Sequence, residues 1–599
     1  MDLPRIAHTF VCVLVLGLAA TGLWAAAAEE EPAAATEKEM VRDPATGEMV
    51  SAPEYGGTLT YATGGAAPAN ADTHFLHVQA MVTGATTEKL GIMDWAIDRD
   101  EFSFRNTYIP LSVYRPHLAE SWDTPDPLTI IFNIRKGVNW QNKAPMNGRE
   151  FTADDVVFNF HRLLGLGEFA EAGPSPFTYQ RPLGESVTAT DRYTVVIKLP
   201  EPSAVALGQY LGIGLTYMNA PEVIREHGDV KDWRNLVGTG PYLLTDWTDG
   251  SSFTFQKNSD YWKDDEKYPG NRLPYIDEIQ GLIVLEEATY LAGLRTGKID
   301  FLGFPVGVSD ITSVEVLESL QKNNPEIVLQ AWWDRSENSY AIDASKPPFD
   351  DVRVRRAMQM AIDLEGIDRS VYQGTSAWQP QGIIGEGVGG YFTPFDEWPE
   401  EVKSGYRYDP AAAEALLDEA GYPRGADGTR FTTVLNHLYR FPLGYSELAA
   451  TYWAEIGVDV KINVLDEAGA GPARSNRTWE GLIYHTMGNN TEPLGFVRQM
   501  VHSSSHEDLH GVRYPELDAL LDDAAATDSE QERQRLVKEV DLYTMENHWW
   551  IWGPKAGKYM SHQPWVVGFN GETWLGFMDR LTILARLWID SELKAEMGY

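Results

Sequence analysis

GTGPYLLTDWTDGSSFTFQKNSDYW, from Gly238 to Trp262, contains a glycine pair that belongs either to a phosphate-cradling loop or to the start of a hairpin. A phosphate loop needs backbone N–H groups aimed from a helix N-terminus, usually followed by Lys-Ser/Thr or a third glycine. Here Gly238-Thr239-Gly240 runs into Pro241, which has no N–H, and then into two apolar segments that alternate as strands do. Asp249-Gly250 between them is a residue pair favoured in tight turns, and Phe253 and Phe255 alternate with Thr254 and Gln256. The stretch reads as a hairpin, which removes the chain's best nucleotide-site candidate.

The same physical chemistry accounts for other conspicuous segments. In FTADDVVFNFHRLL, Thr152 is placed to cap a helix, Asp154 and Asp155 sit in its favourable first turn, and Val156, Phe160 and Leu163 form one apolar face. YDPAAAEALLDEAGYP opens with Asp409 as cap and Pro410 at the first helical position, and closes at Gly421 and Pro423. Ser529 and Glu532 have capping-box spacing. EIGVDVKINVL alternates Val458, Val460, Ile462 and Val464 as a strand does. Strands and helices therefore interleave, which predicts an α/β architecture.

The 599 residues are 43% hydrophobic and 23% charged, enough to bury at least one large core and to divide into several domains. With 87 acidic and 49 basic residues the formal charge is −38, which repels nucleic-acid phosphates and keeps the chain soluble. Arg5 and His8 precede the apolar run FVCVLVLGLAATGLW (Phe10–Trp24) and an Ala-rich stretch, so residues 1–28 read as a secretory signal peptide, with retention as an anchor as the alternative. The only cysteine, Cys12, lies inside that run and has no lipoprotein-type context. A mature chain without cysteine has no disulfide and no thiolate nucleophile or metal ligand. Residues 29–54, rich in Ala, Glu and Pro, are expected to be a flexible leader. His502, His506 and His510 share i, i+4 spacing, but three serines and Gly511 interrupt any helix there, and the segment reads as a polar loop; no metal or cofactor is expected. No HExxH, GxSxG or Walker motif is present.

In order along the chain, YGGTLTYA, PHLAESWDTPDPLTIIFNIRKGVNWQNKAPMNGREFTADDVVFNF, GTGPYLLTDW with NSDYW, LPYIDEIQGLIVLEEATYLAGLRTGKIDF, PPFDDVRVRRAMQMAID and YPELDALL resemble the extracytoplasmic solute-binding proteins of ABC importers, family 5, which includes oligopeptide-, dipeptide- and nickel-binding proteins. The resemblance spans Tyr55 to about Gly571. It implies an α/β, two-lobed periplasmic binding protein-like fold with a hinge: a first lobe over 55–326 with an extra subdomain at about 86–200, a second lobe over 327–547, and a return of 548–599 to the first. WWDRSENSY (Trp332–Tyr340) and NHWWIWGP (Asn547–Pro554) would cross at the waist.

The function so implied is capture of a peptide or similarly sized solute outside the cytoplasmic membrane by a monomer, and its delivery to a membrane permease driven by separate ATPase subunits. Tandem tryptophans near the inferred cleft offer flat apolar walls. Trp332, Trp333, Trp378, Asn489 and Asn490 are the candidate ligand contacts, with Thr63 and Gly64 opposite them. In peptide-binding members the segment matching HTMGNNTEPLGF carries an aspartate for the peptide's free amine; the resemblance aligns Asn489 with it, leaving Glu492 as a possible substitute. Loss of that charge favours neutral solutes such as oligosaccharides, and a secreted glycoside hydrolase with paired carboxylates is the alternative from a different class.

Overall fold

The computed structural model describes residues 38–599 except 64–70, 75–83, 107, 176–181, 204, 213–214, 308–309, 334–335, 387, 440–442, 467–468, 470–472, 474–477, 488–491, 506–507 and 576–579. Tyr242–Thr248 and Ser252–Lys257 pair antiparallel around Gly250, which has φ +67°, so the opening stretch is a hairpin. Its glycine pair serves close backbone approach: a Cβ on Gly238 or Gly240 would stand 1.9 or 2.6 Å from the Thr86 carbonyl oxygen. Gly240 N–H donates to that same oxygen at 2.8 Å, which fixes residues 84–87 against the base of the hairpin.

The hairpin starts a seven-stranded mixed sheet, ordered Tyr242–Thr248, Ser252–Lys257, Glu278–Ile283, Thr58–Thr63, Phe301–Leu302, Gly557–His562 and Val328–Trp333. Helices Glu287–Arg295 and Val314–Asn323 cover one face through Leu291, Leu294, Leu317 and Leu320. Leu59, Tyr61, Phe253 and Phe255 point into the larger core on the other. A four-stranded antiparallel sheet, Ala119–Asp126, Thr129–Ile134, Thr194–Lys198 and Ser186–Asp191, joins that core.

A second sheet runs Val458–Leu465, Phe431–Leu438, Leu482–Met487, Ser336–Ile342 and Trp550–Trp552. Its two faces explain the unbroken apolar run WWIW: Trp550 and Trp552 face the layer of helices Pro493–Val501, Pro515–Ala526 and Glu530–Glu546, while Ile551 faces the layer of Val352–Met360, Pro410–Glu419 and Gly444–Glu455. A strand covered on both sides has no polar face to alternate with.

The caps follow the sequence reading closely. Thr152 and Asp155 form a reciprocal capping box, and Asp155 also receives Arg149 at 2.6 and 2.9 Å. Asp409 accepts from Ala412 N–H at 2.9 Å. Ser529 accepts from Glu532 N–H at 3.3 Å, but the Ser529 N–H goes to Thr527 and the Glu532 carboxylate to Arg535, so only half of that box forms.

Two boundaries differ from expectation. Sheet membership moves the crossings to 333–336 and 552–557: Val328–Trp333 pairs with Gly557–His562 in the first lobe's sheet, and Trp550–Trp552 pairs with Ser336–Ile342 in the second. The expected flexible leader is ordered from Lys38 onward. Met40–Arg42 and Met49–Ser51 form a hairpin, and its Asp43, fully buried, receives Lys267 Nζ at 2.6 Å, Asn570 Nδ2 at 3.1 Å and the Ala45 N–H at 2.8 Å. Lys38 pairs with Asp590 beside it. Composition misjudged this segment because its anchor is one buried charge pair, not an apolar face.

Burial pushes the Asp43 carboxyl upward, but Lys267 and the hydrogen bonds outweigh it and hold its pKa below the ordinary aspartate value. A lowered folded-state pKa stabilises above the ordinary value and loses that contribution as pH falls through the lowered one. Asp43→Asn leaves the Lys267 ammonium buried without its carboxylate, a change that costs about 3–5 kcal/mol. Amide hydrogen exchange across 40–51 is expected to accelerate in this variant at pH 7; protection equal to that of the parent protein would refute the anchoring role.

Candidate functional site

Strand register locates the site. Thr58–Thr63, Glu278–Ile283 and Phe301–Leu302 run parallel, so Thr63, Ile283 and Leu302 end at one edge, where Trp333 also pairs with Gly557. In the other sheet Phe431–Leu438, Val458–Leu465 and Leu482–Met487 run parallel and end where Met487 pairs with Ser336. Both sets of carboxyl ends therefore lie at the edges joined by the two crossing segments. In α/β sheets the crevice outside those ends is where ligands bind.

Thr63 closes its strand at this edge, buried, with its backbone oxygen taken by Val284 N–H at 3.0 Å and its hydroxyl without a hydrogen-bond partner. Gly64, Asn489 and Asn490 lie outside the described residues. The two tandem tryptophans separate. Trp333 is 40% exposed and donates its indole N–H to the Thr375 carbonyl at 3.2 Å, bridging the edge of the first sheet to a loop of the second lobe. Trp332 is only 3% exposed: it stacks on Phe304 at 5.0 Å, packs with Trp574 and Met560, and donates to Asp310 at 3.1 Å. Strand alternation sends these neighbours to opposite faces, which corrects the reading of Trp332 as a ligand wall. Trp378 is partly buried and packs against the second lobe's core, next to Ala377, which exchanges two backbone hydrogen bonds with Lys555 on the return crossing. Trp549 and Trp550 are core as well, Trp549 being stacked on His510 at 3.8 Å. That stacking makes His510 a core side chain, while His502 ends the helix Pro493–Val501 and His506 lies outside the described residues.

Three residues at these edges escaped the sequence reading. Tyr439 follows the strand Phe431–Leu438, second in its sheet, and is 62% exposed. Lys555, buried on the return crossing, donates to Gln381 at 2.5 Å and places a cation there. Tyr108, from the first lobe, lies edge-on to Tyr391 of the second at 5.7 Å. Only their position distinguishes them; their residue types are common in any loop.

Glu492 has a defined structural task. It caps the helix Pro493–Val501, accepting from Leu494 N–H at 3.1 Å and from Gly495 N–H. Burial pushes its pKa up to about 7, against the lowering effect of those amides and Arg533. Ser446 and His437 meet at 2.9 Å, as a nucleophile and base would, but both are buried at 1% exposure and the Tyr340 hydroxyl closes the group at 2.8 Å. The edges thus present aromatic surface at Trp333 and Tyr439 and a cation at Lys555.

The separation of the tandem pair has a measurable consequence. Trp332→Ala is expected to cost about 3–5 kcal/mol through its buried ring, whereas Trp333→Ala costs about 1 kcal/mol or less. Ligand titration should reverse the order, with affinity lost in Trp333→Ala and retained by folded Trp332→Ala. Equal stability losses in chemical denaturation would contradict the assignment of one ring to core and the other to the cleft.

Comparison with known proteins agrees with this geometry. Heme-binding protein A of Haemophilus influenzae is 29% identical over 474 residues, covering 76% of this chain and 81% of that protein. The dipeptide-binding protein of Escherichia coli is 26% identical over 447 residues, covering 71% and 78%. Among solved structures, HbpA2 from Haemophilus parasuis superposes with a TM-score of 0.69 at 21% identity, covering 89% of this chain and all of that one. The periplasmic binding protein DppA from Helicobacter pylori, in complex with the peptide STSA, gives 0.66 at 23% identity, covering 90% and 99%. The model of the bacterial extracellular solute-binding proteins, family 5, matches residues 113–508, and the chain belongs to that family.

Proposed function

We propose that this chain captures a peptide or a solute of similar size outside the cytoplasmic membrane and delivers it to its permease. As a family 5 solute-binding protein it is the non-enzymatic substrate-binding component of an ABC importer, which sets aside the glycoside hydrolase reading. The observation that carries the proposal is the pair of facing carboxyl edges, joined by two crossing segments and bridged by Trp333. A ligand held by both edges stabilises the closed arrangement by whatever it gains there over the open one. At a hundred times the dissociation constant, the resulting stabilisation is about 2.7 kcal/mol.

Glu492 supports a second reading. As the substitute for a missing amine-binding carboxylate it is poorly placed, because its oxygens already serve two helix amides. A peptide ammonium would then meet Asn489, a dipole in place of a charge, and desolvating that ammonium costs several kcal/mol. Neutral oligosaccharides escape this cost. Mass spectrometry of solutes co-purified with the native protein separates the classes directly. In calorimetry, Asn489→Asp is expected to tighten binding of free-amine di- and tripeptides at least tenfold and to leave oligosaccharides unaffected. Tight peptide binding by the parent protein that the substitution leaves unchanged would remove Asn489 from the anchor position.

Export rests on the apolar run Phe10–Trp24. The mature chain is expected to begin near Glu29, which the intact mass of protein from its native host checks; residues 1–28 retained, or a lipid on Cys12, would overturn it.

A further inference from the structure

Strands Gly91–Met93 and Tyr114–Pro116 pair with each other, so the chain between them forms an arm, which packs Trp95, Ile97, Phe104 and Ile109 into the first lobe's own core. The arm's base is firmly held. Arg99 places two nitrogens on Glu572 Oε1 at 2.8 and 3.0 Å, Trp95 stacks on Phe104 at 5.6 Å, and Arg105–Asn106 pairs in parallel with Trp574–Leu575. Beyond that pairing, Tyr108 departs from its own lobe and packs against the second lobe's core. Its ring meets that of Tyr391 edge-on, at 84°, and the two hydroxyls interact. Tyr391 is 1% exposed, and its hydroxyl also reaches the Glu530 carboxylate, which is paired with Arg533. Glu492 lies near enough for its charge to act on both tyrosines.

We propose that the arm carrying Tyr108 is a closure latch: Tyr108, borne by the first lobe, engages Tyr391 of the second, beside Glu530 and Glu492, when the cleft shuts, and favours the closed state whether or not ligand is bound. This rests on the binding-protein reading. The groups facing Glu492 are Tyr108 on the arm, Tyr391 on the turn after Val388, Glu530 and Arg533 on the helix Glu530–Glu546, and the amides of Leu494 and Gly495 on its own helix. Two carboxylates, Glu492 and Glu530, thus meet one guanidinium. With both ionised, the excess negative charge opposes the approach of a tyrosine whose hydroxyl already lies among acceptors. A proton on Glu492 relieves it.

The sign follows. In the open state Glu492 regains water and keeps its two helix amides, so its pKa falls to the ordinary glutamate value or below; in the closed state burial raises it to about 7. Closure therefore takes up a proton between those values. The latch is fully effective below the open-state value and weakens as pH rises through about 7.

The test uses ligand-free mature protein, which has no native cysteine, labelled with a dye pair at Asp249→Cys and Asp427→Cys, exposed turns of the first and second lobes. Single-molecule energy transfer then gives the ratio of closed to open molecules. Tyr108→Ala is expected to lower that ratio roughly two- to tenfold at pH 6, and Tyr108→Phe by less, since it keeps the ring. Glu492→Gln, neutral at every pH and still able to accept an amide hydrogen bond, should keep the acidic-pH ratio up to pH 8, where the parent protein loses it. A ratio unchanged by the Tyr108 substitutions, or a parent pH profile that superimposes on that of Glu492→Gln, overturns the latch. Calorimetric titration of di- and tripeptides and oligosaccharides into the parent protein tests the binding reading separately.

Discussion

Two antiparallel ladders bear the constraint on which the rest of this molecule depends. Val328–Trp333 against Gly557–His562 closes one sheet, and Ser336–Ile342 against Trp550–Trp552 borders the other. Each ladder takes one strand from either crossing, so both crossings are pinned at both ends and the chain between them is short. Relative motion of the lobes is confined to rotation about these segments, and everything at the carboxyl edges opens or closes with it. Trp333 and Lys555 are distinguished by their place on the crossings, not by residue type.

The lobes themselves are held without disulfides, and charge pairs at full burial do part of the cross-linking. Arg162 grips Asp72 with two hydrogen bonds of 2.6 and 2.9 Å and Lys267 grips Asp43 across 224 positions, while the buried Glu88 carboxylate accepts from the Tyr261 hydroxyl at 2.6 Å and meets the ring of His117, whose pKa burial lowers, at 2.7 Å. Against apolar replacements such pairs contribute little net stability. Their value is that a wrong register leaves a charge buried alone, so they select one docking of a segment over its neighbours. The N-terminal hairpin, with few apolar residues of its own, depends on this most.

What could be read in the sequence was whatever local chemistry decides. The hairpin at Asp249-Gly250, the caps at Thr152 and Asp409, and the interleaving of strand and helix patterns are each set within a few residues, and they appear in the structure. Trp332 and Trp333 mark the limit. Adjacent residues of one type carry no local sign of which faces a core and which a cleft; that depends on the Phe304, Met560 and Trp574 side chains brought from distant segments. Residues 40–51 fail the other way. Their composition describes a solvated chain, and one aspartate with a distant lysine overrides it. Tyr108 had no signal at all, since its partner Tyr391 is reached only through the fold.

Electrostatics then links the composition to the hinge. A chain with formal charge −38 has two acidic lobes, and bringing them together works against their mutual repulsion, screened over about 8 Å at physiological ionic strength. Contacts that favour closure must therefore be neutral, apolar or locally cationic. The features found at the closing edges are of these kinds: the exposed rings of Trp333 and Tyr439, the Lys555 ammonium, the paired rings of Tyr108 and Tyr391, and a glutamate that burial inclines toward its protonated form. Repulsion opposes closure of the empty protein, and the Tyr108 contact and the free energy that ligand contributes at the edges both act against it.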